Sequence, residues 1–310
     1  MIPALLLLAF LGDYPETSIS NGAITAKLML PDAEQGSYRG TRFDWAGIIS
    51  SLTYNGHEYF GQWYPKHDPR IHDAITGPVE EFLSNDAGLG YAEAKPGETF
   101  VRIGVGSVRK PDEKAYRRFE TYQITDLGKR TLRQGKSWIE FGHQLADAGY
   151  GYDYRKTIRL EKSGFTIEHL LKNTGAKPID TLVYNHNFFV IDHEVVGPDM
   201  VIAFAWPPKP DKPLPNGGEI RGDEIRYTRE LKPGETVAAD LSGFGAYDIR
   251  IENRKVLAGV RITGDQPLAK LYFWSIRTVA CPEPYVHISV APKHEKKWQI
   301  KYMLYTPPGK

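Results

Sequence analysis

Two segments carry residues whose type and setting could do chemistry. Residues 182–191, LVYNHNFFVI, place Asn185, His186 and Asn187 inside an otherwise apolar, aromatic run. Polar groups in such a run must be hydrogen-bonded or put to use. His186 is either a satisfied core histidine or a proton carrier, since imidazole ordinarily titrates near neutrality. Residues 272–290, YFWSIRTVACPEPYVHISV, set Glu283 between two prolines in a second aromatic stretch of high β propensity. Its carboxylate is either an exposed turn group or a buried one that needs a role. One base and one acid, taken from two segments, are what proton transfer at two opposed positions of a substrate requires.

Other reaction classes lack their residues. There is no GxxxxGK[ST] loop, and Gly104-Val105-Gly106 lacks a third spaced glycine and a following helix, so dinucleotide chemistry is not indicated. The nine histidines include no HExxH. The closest pairs, His67 with His72 and His186 with His193, lie in broken or strand-like contexts, and no metal or other cofactor is called for. No GxSxG elbow occurs, and the single cysteine, Cys281, has no adjacent activating base, which argues against acyl transfer. One cysteine also excludes an intramolecular disulfide. Glu80 and Glu81 are adjacent and would project to opposite faces of a strand, which does not suit the carboxyl pair of a glycoside hydrolase. With 39 Lys+Arg against 38 Asp+Glu, the net charge of +1 provides no field to hold nucleic acid.

A β framework must position these groups. Turn residues recur about every ten positions between runs that alternate apolar with polar, the rhythm of an all-β chain. Residues 157–173 read as a hairpin turning at Lys162-Ser163-Gly164. Similar pairs turn around Gln134-Gly135 and Asn253-Arg254. The best helical candidate is 77–84, GPVEEFLS, with room for a turn or two. Five prolines among residues 207–215 make 206–218 a long loop, either a surface connection or a semi-rigid wall beside a site. The apolar run 4–11, ALLLLAFL, falls short of the roughly 20 residues of a membrane span, so no integral membrane span is expected. Residues 1–20 read as an apolar leader, either a signal peptide that would send the protein to the periplasm or outside, or an N-terminal strand of a cytoplasmic protein. Residues 21–310 read as a single β domain.

Taken jointly, the two segments resemble the galactose mutarotase (aldose 1-epimerase) superfamily. Asn185-His186-Asn187-Phe188 matches the strand that presents the family's catalytic histidine, and Cys281-Pro282-Glu283-Pro284 the later strand that presents its glutamate. The run from Arg39 to Ile49, followed by Leu52 to Glu58, is similar to the family's opening hairpin. The resemblance covers about residues 21–305. Two family features have no clean counterpart: a second histidine in an H-G segment, where this chain has Gly77-Pro78-Val79-Glu80-Glu81-Phe82, and a substrate-binding aspartate near the proline-rich loop.

The resemblance implies an all-β supersandwich of mostly antiparallel strands with a carbohydrate as its partner. It implies an isomerase that interconverts sugar anomers, with Glu283 as base toward the anomeric hydroxyl and a charged His186 as acid toward the ring oxygen. Arg42 would donate to sugar hydroxyls or form an ion pair with Asp44 or another acid, and Asn185 would orient its neighbours. Trp274, Tyr285 and Phe188 would supply aromatic surface or core, and His72, Glu80 and Glu81 would line the cleft or a solvated loop. A non-catalytic carbohydrate-binding domain, and a β-sandwich of the glycoside hydrolase or polysaccharide lyase kind, use the same scaffold and stay open.

Overall fold

Period-two alternation builds the layers of this protein. The structure, a computed structural model, describes residues 14–307, so the apolar run 4–11 lies outside the described residues. In the strand Glu295–Tyr305, Trp298, Ile300, Tyr302 and Leu304 point inward, and Lys297, Gln299, Lys301 and Met303 point to solvent. That strand lies inside a ten-stranded sheet whose edges are Gly218–Arg221 and Lys129–Gln134. A six-stranded sheet runs in the order Lys209–Pro210, Thr236–Ser242, Leu268–Ile276, Val279–Val290, Ile179–His186, Val79–Leu83. Phe82, Val183, Phe273 and Val286 from its inner face join Phe165, Ile300 and Tyr302 of the large sheet in one hydrophobic core, the sheet-on-sheet arrangement of a sandwich. Sheets of four and three strands flank these two. The described residues contain no helix, none long and apolar enough to cross a membrane, and the fold is all-β with antiparallel pairing.

The hairpin turning at Lys162-Ser163 forms as expected, from Tyr150–Glu161 and Gly164–Asn173. The expected helical turn at 77–84 is instead the strand Val79–Leu83, buried on both faces. Its two glutamates find cations on opposite sides, so neither lies in a solvated loop and both sit in the interior. The expected hairpin arm at 39–49 is a loop as far as Gly47, where the strand Ile48–Tyr54 begins. Trp45 Nε1 donates to the Gly40 carbonyl and Asp44 Oδ1 accepts from the Ala46 amide, which folds the segment back on itself. Glu16–Ser20, inside the stretch read as a leader, pairs with Ile24–Met29. The proline-rich segment pairs with the sheet as a strand at Lys209–Pro210, on an edge, where proline's missing donor is tolerated, and Asp211 and Asn216 add bonds to the same neighbouring strand.

Between the two large sheets lies a charged knot. Lys156 Nζ bonds Glu80, contacts Asp44 Oδ2 at 2.6 Å and donates to the Ala46 carbonyl at 2.7 Å. His169 Nε2 and Asn185 Nδ2 meet Glu80 Oε1 at 3.1 and 3.0 Å. Burial alone would raise the Glu80 carboxyl, but Lys156 and His169 outweigh it and bring it down to about 2. Burial holds Asp44 above its ordinary value, as expected where two carboxylates share one ammonium. Removing the cation strands both acids, so Lys156→Met is expected to lose about 3–5 kcal/mol at pH 7 in urea unfolding. Glu80's folded value lies below its ordinary 4.5, so its contribution is full above 4.5 and lost as pH falls toward 2. The gap between wild type and variant should therefore shrink over that window; a gap independent of pH would contradict an ionised Glu80.

Candidate active site

Antiparallel register sets the polar residues in rows across the outer face of the six-stranded sheet. Tyr184 pairs with Tyr285, and two residues further along the same register His186 stands opposite Glu283. Glu283 pairs with Tyr272, and Tyr272 with Asp240. A parallel row runs Glu81, Tyr184, Tyr285, Lys270. Side chains two apart share a face, so Trp274 joins these rows, and the residues between them point into the core.

Loops close the opposite side. Arg42 comes from the loop before Ile48, Trp63, His72 and Asp73 from residues 59–78, and Arg118 and Phe119 from residues 110–123. They enclose a cavity of about 330 Å³, at the small end of the range for ligand sites, roughly 300–1,000 Å³. The loop 59–78 sits hard against the sheet at Gly77. A Cβ there would lie 2.7 Å from the His186 carbonyl oxygen and 3.1 Å from the Phe188 ring, so only glycine permits the approach.

His186 is clamped in an aromatic stack. Its ring lies 3.8 Å from Phe188, which stacks on Trp63 at 5.0 Å, and Phe43 and Trp274 meet it edge-on. Nε2 is 3.3 Å from Glu283 Oε1, and the buried Nδ1 has no hydrogen-bond partner. Burial, reinforced by the charges of Arg42 and Arg118, drives the imidazole well below its ordinary pKa. Burial also pushes the Glu283 carboxyl up to about 7 against the opposing pull of the same two arginines. The expectation that His186 reaches its charged form without a large shift is therefore corrected: in the free protein its neutral form is favoured.

Below the cavity floor, Glu81 is fully buried under three guanidinium groups. Arg42 Nε and Arg118 Nη2 bond its Oε2 at 3.0 and 2.8 Å, and Arg102 Nη2 bonds Oε1 at 3.1 Å. The Tyr184 hydroxyl donates to Glu81 and accepts from Arg42 and Arg118. Both charged groups are thus oriented by the same pair of acceptors.

Of the residues expected to bind substrate, Arg42, His72 and Trp274 line the cavity together with His186 and Glu283. Asn185 and Glu81 do not. Asn185 alternates to the inner face and donates to Glu80, and Glu81 is covered by its arginines. The acid that Arg42 pairs with is Glu81, not Asp44. The proline-rich loop contributes no lining residue; it pairs with the strand that supplies Asp240. Among the described residues no group of three or more His, Cys, Asp or Glu is placed to hold a metal ion.

No protein-family model matches the chain, and no curated protein matches it in sequence. Solved structures do. The Slr1438 protein from Synechocystis sp. PCC 6803 superposes with a TM-score of 0.59 at 12% identity, over 98% of this chain and 100% of that one. A galactose mutarotase-like protein from Clostridium acetobutylicum gives 0.58 at 12% identity, over 94% and 95%. The GalM/aldose epimerase homologue from C. elegans gives 0.56 at 13% identity, over 94% and 99%. The fold is galactose mutarotase-like.

Within this mutarotase-like fold, several lining residues had escaped the sequence reading: Trp63, Asp73, Arg118, Phe119, Asp240 and Lys270. Two signals could have found some of them. Lys270 and Tyr272 keep the two-residue spacing of Trp274, and Tyr116-Arg117-Arg118-Phe119 is a basic aromatic cluster in a polar loop. Trp63, Asp73 and Asp240 carry no such local mark.

Glu283 sits above its ordinary value of 4.5, so the fold favours its protonated form. That stability is full below 4.5 and lost as pH rises through about 7. Glu283→Gln is expected to raise stability at pH 8 by an amount on the order of 1–3 kcal/mol and to change little at pH 4. Chemical denaturation at the two pH values measures it, and a variant destabilised at pH 8 would refute the buried, raised carboxyl.

Proposed function

We propose that this protein is an aldose 1-epimerase-like mutarotase that interconverts sugar anomers by general acid/base catalysis. The supporting observation is the contact between His186 Nε2 and Glu283 Oε1 in an aromatic-walled cavity of sugar-accommodating size, on a fold shared with proteins described as galactose mutarotase-like and as an aldose epimerase homologue.

Mutarotation needs one group that holds a proton and one that lacks it. The buried pair meets this below about pH 7, and burial favours the arrangement without charges, with the proton on Glu283 and a neutral His186. With an aldose seated against the pair, its O5 toward Glu283 and its O1 toward His186, Glu283 gives its proton to the ring oxygen as His186 takes the proton of the anomeric hydroxyl. The C1–O5 bond breaks and an open-chain aldehyde forms. Rotation about C1–C2 presents the other carbonyl face; O5 attacks it, His186 returns its proton to O1, and Glu283 recovers the one from O5. The starting state is restored with C1 inverted. These roles are the reverse of those expected from the sequence resemblance, because desolvation opposes a resting imidazolium. Trp274 and Phe119 offer flat apolar surface to the less polar face of the ring.

The test is the rate of anomer exchange, by NMR or polarimetry, for several freshly dissolved aldoses, neutral and acidic. Acceleration is expected from the wild type and should fall at least ~100-fold in Glu283→Gln and in His186→Ala, within the usual contribution of such groups. The rate should also decline as pH rises through about 7, where the pair loses its proton. Sugar binding without acceleration by the folded protein would replace this reading with a carbohydrate-binding domain.

A further inference from the structure

Beneath one side of the cavity, guanidinium groups outnumber the carboxylate they share. Arg42, Arg102 and Arg118 share a single buried carboxylate, Glu81. Arg102 is committed to structure, donating to the carbonyls of Thr41, Arg42, Phe82 and Ala87. Arg42 and Arg118 instead face the lumen. Arg42 uses Nε on Glu81 and Nη2 on Tyr184, and its Nη1 has no hydrogen-bond partner among the described residues. Arg118 is tied to the same two groups and stays 30% exposed. The other acids at the cavity are engaged elsewhere: Asp240 with Lys270 at 2.9 Å, Asp73 with His72 at 3.5 Å, and Glu283 with His186.

Two anchored guanidiniums that face the lumen and share their one directly bonded carboxylate, Glu81, with a third suit an oxyanion, which accepts charge-assisted bonds from both. Sugar hydroxyls could accept such bonds but would leave the charge uncompensated in a desolvated site. The position fits as well. Tyr184 and Tyr285, beside the arginines, stand two residues from His186 and Glu283 along their strands, or about 7 Å. That separation places an exocyclic group of a pyranose at the arginines when its anomeric carbon is at the acid/base pair.

Building on the mutarotase reading, we propose that the cavity takes an anionic aldose, whose carboxylate or phosphate is held by Arg42 and Arg118 while its anomeric carbon meets His186 and Glu283. The shared chemistry is the oxyanion, and the two sources are separated by experiment.

Anomer exchange of glucose, glucuronate and glucose 6-phosphate should be compared at matched ionic strength, with calorimetric binding of each, for the full chain and for Arg118→Gln and Arg118→Lys. At least one acidic sugar is expected to exceed glucose tenfold or more in kcat/KM, and whichever does so identifies the anion. That preference should collapse in Arg118→Gln and persist in part in Arg118→Lys, which keeps the charge without the fork. It should also weaken as salt or inorganic phosphate is added to the wild type, a readout that needs no variant to fold. Glucose exchanged as fast as both acidic sugars would overturn the anion site and leave mutarotation standing. Acidic sugars that bind tenfold tighter than glucose, with no anomer accelerated, would uphold the anion site and remove the mutarotase reading. A folded protein that neither binds nor turns over any of the three overturns both.

Discussion

Two consecutive carboxylates on one short strand, both removed from water, are the constraint around which this molecule is arranged. A strand sends neighbours to opposite faces, so Glu80 and Glu81 cannot share a partner, and each has to be compensated where it lands. Glu80 meets Lys156 and His169, which belong to the opposing ten-stranded sheet, and so ties the two layers together. Glu81 meets Arg42, Arg102 and Arg118, and so ties the loops of the outer face to the sheet. A single edge strand thereby joins the packing of the sandwich to the walls of its cavity.

The His186–Glu283 pair depends on that arrangement through its electrostatics. Burial first, and the charge of the arginines gathered by Glu81 second, keep His186 neutral, and the same arginines hold the Glu283 carboxyl from rising further. The aromatic stack on His186 supplies the desolvation. Opposing influences bring the carboxyl to about 7, a value suited to a proton donor near neutrality. The centre is poised by a balance between burial and nearby charge, and neither alone would produce it.

The all-β class was legible because alternation is local, and His186 and Glu283 announce themselves as polar residues in apolar runs. The strand at 79–83 was not legible, since Glu80-Glu81 reads as solvent-facing until Lys156 and the three arginines, all far away in sequence, are brought to it. The same holds for Asn185, whose neighbour His186 faces the cavity: one residue of offset sends it to the core, and the orientation of a strand's faces is decided by the sheet it joins. The charge state of His186 also escaped, because desolvation comes from Phe188 within its own segment but also from Trp63 and Phe43, which only the folded loops deliver.

The close seating of Gly77 on the His186 carbonyl has a mechanical consequence. With no gap for even a methyl group between them, the 59–78 wall and the strand that bears the imidazole move as one piece. Lifting this wall would pull on the strand segment that carries the His186 imidazole. The other rim is fastened through side chains, Arg118 to Glu81 and Tyr184, and Thr121 to the Arg70 carbonyl of the wall itself. The 59% exposed Phe119, which lies on His72, is therefore a latch between two walls anchored to one sheet.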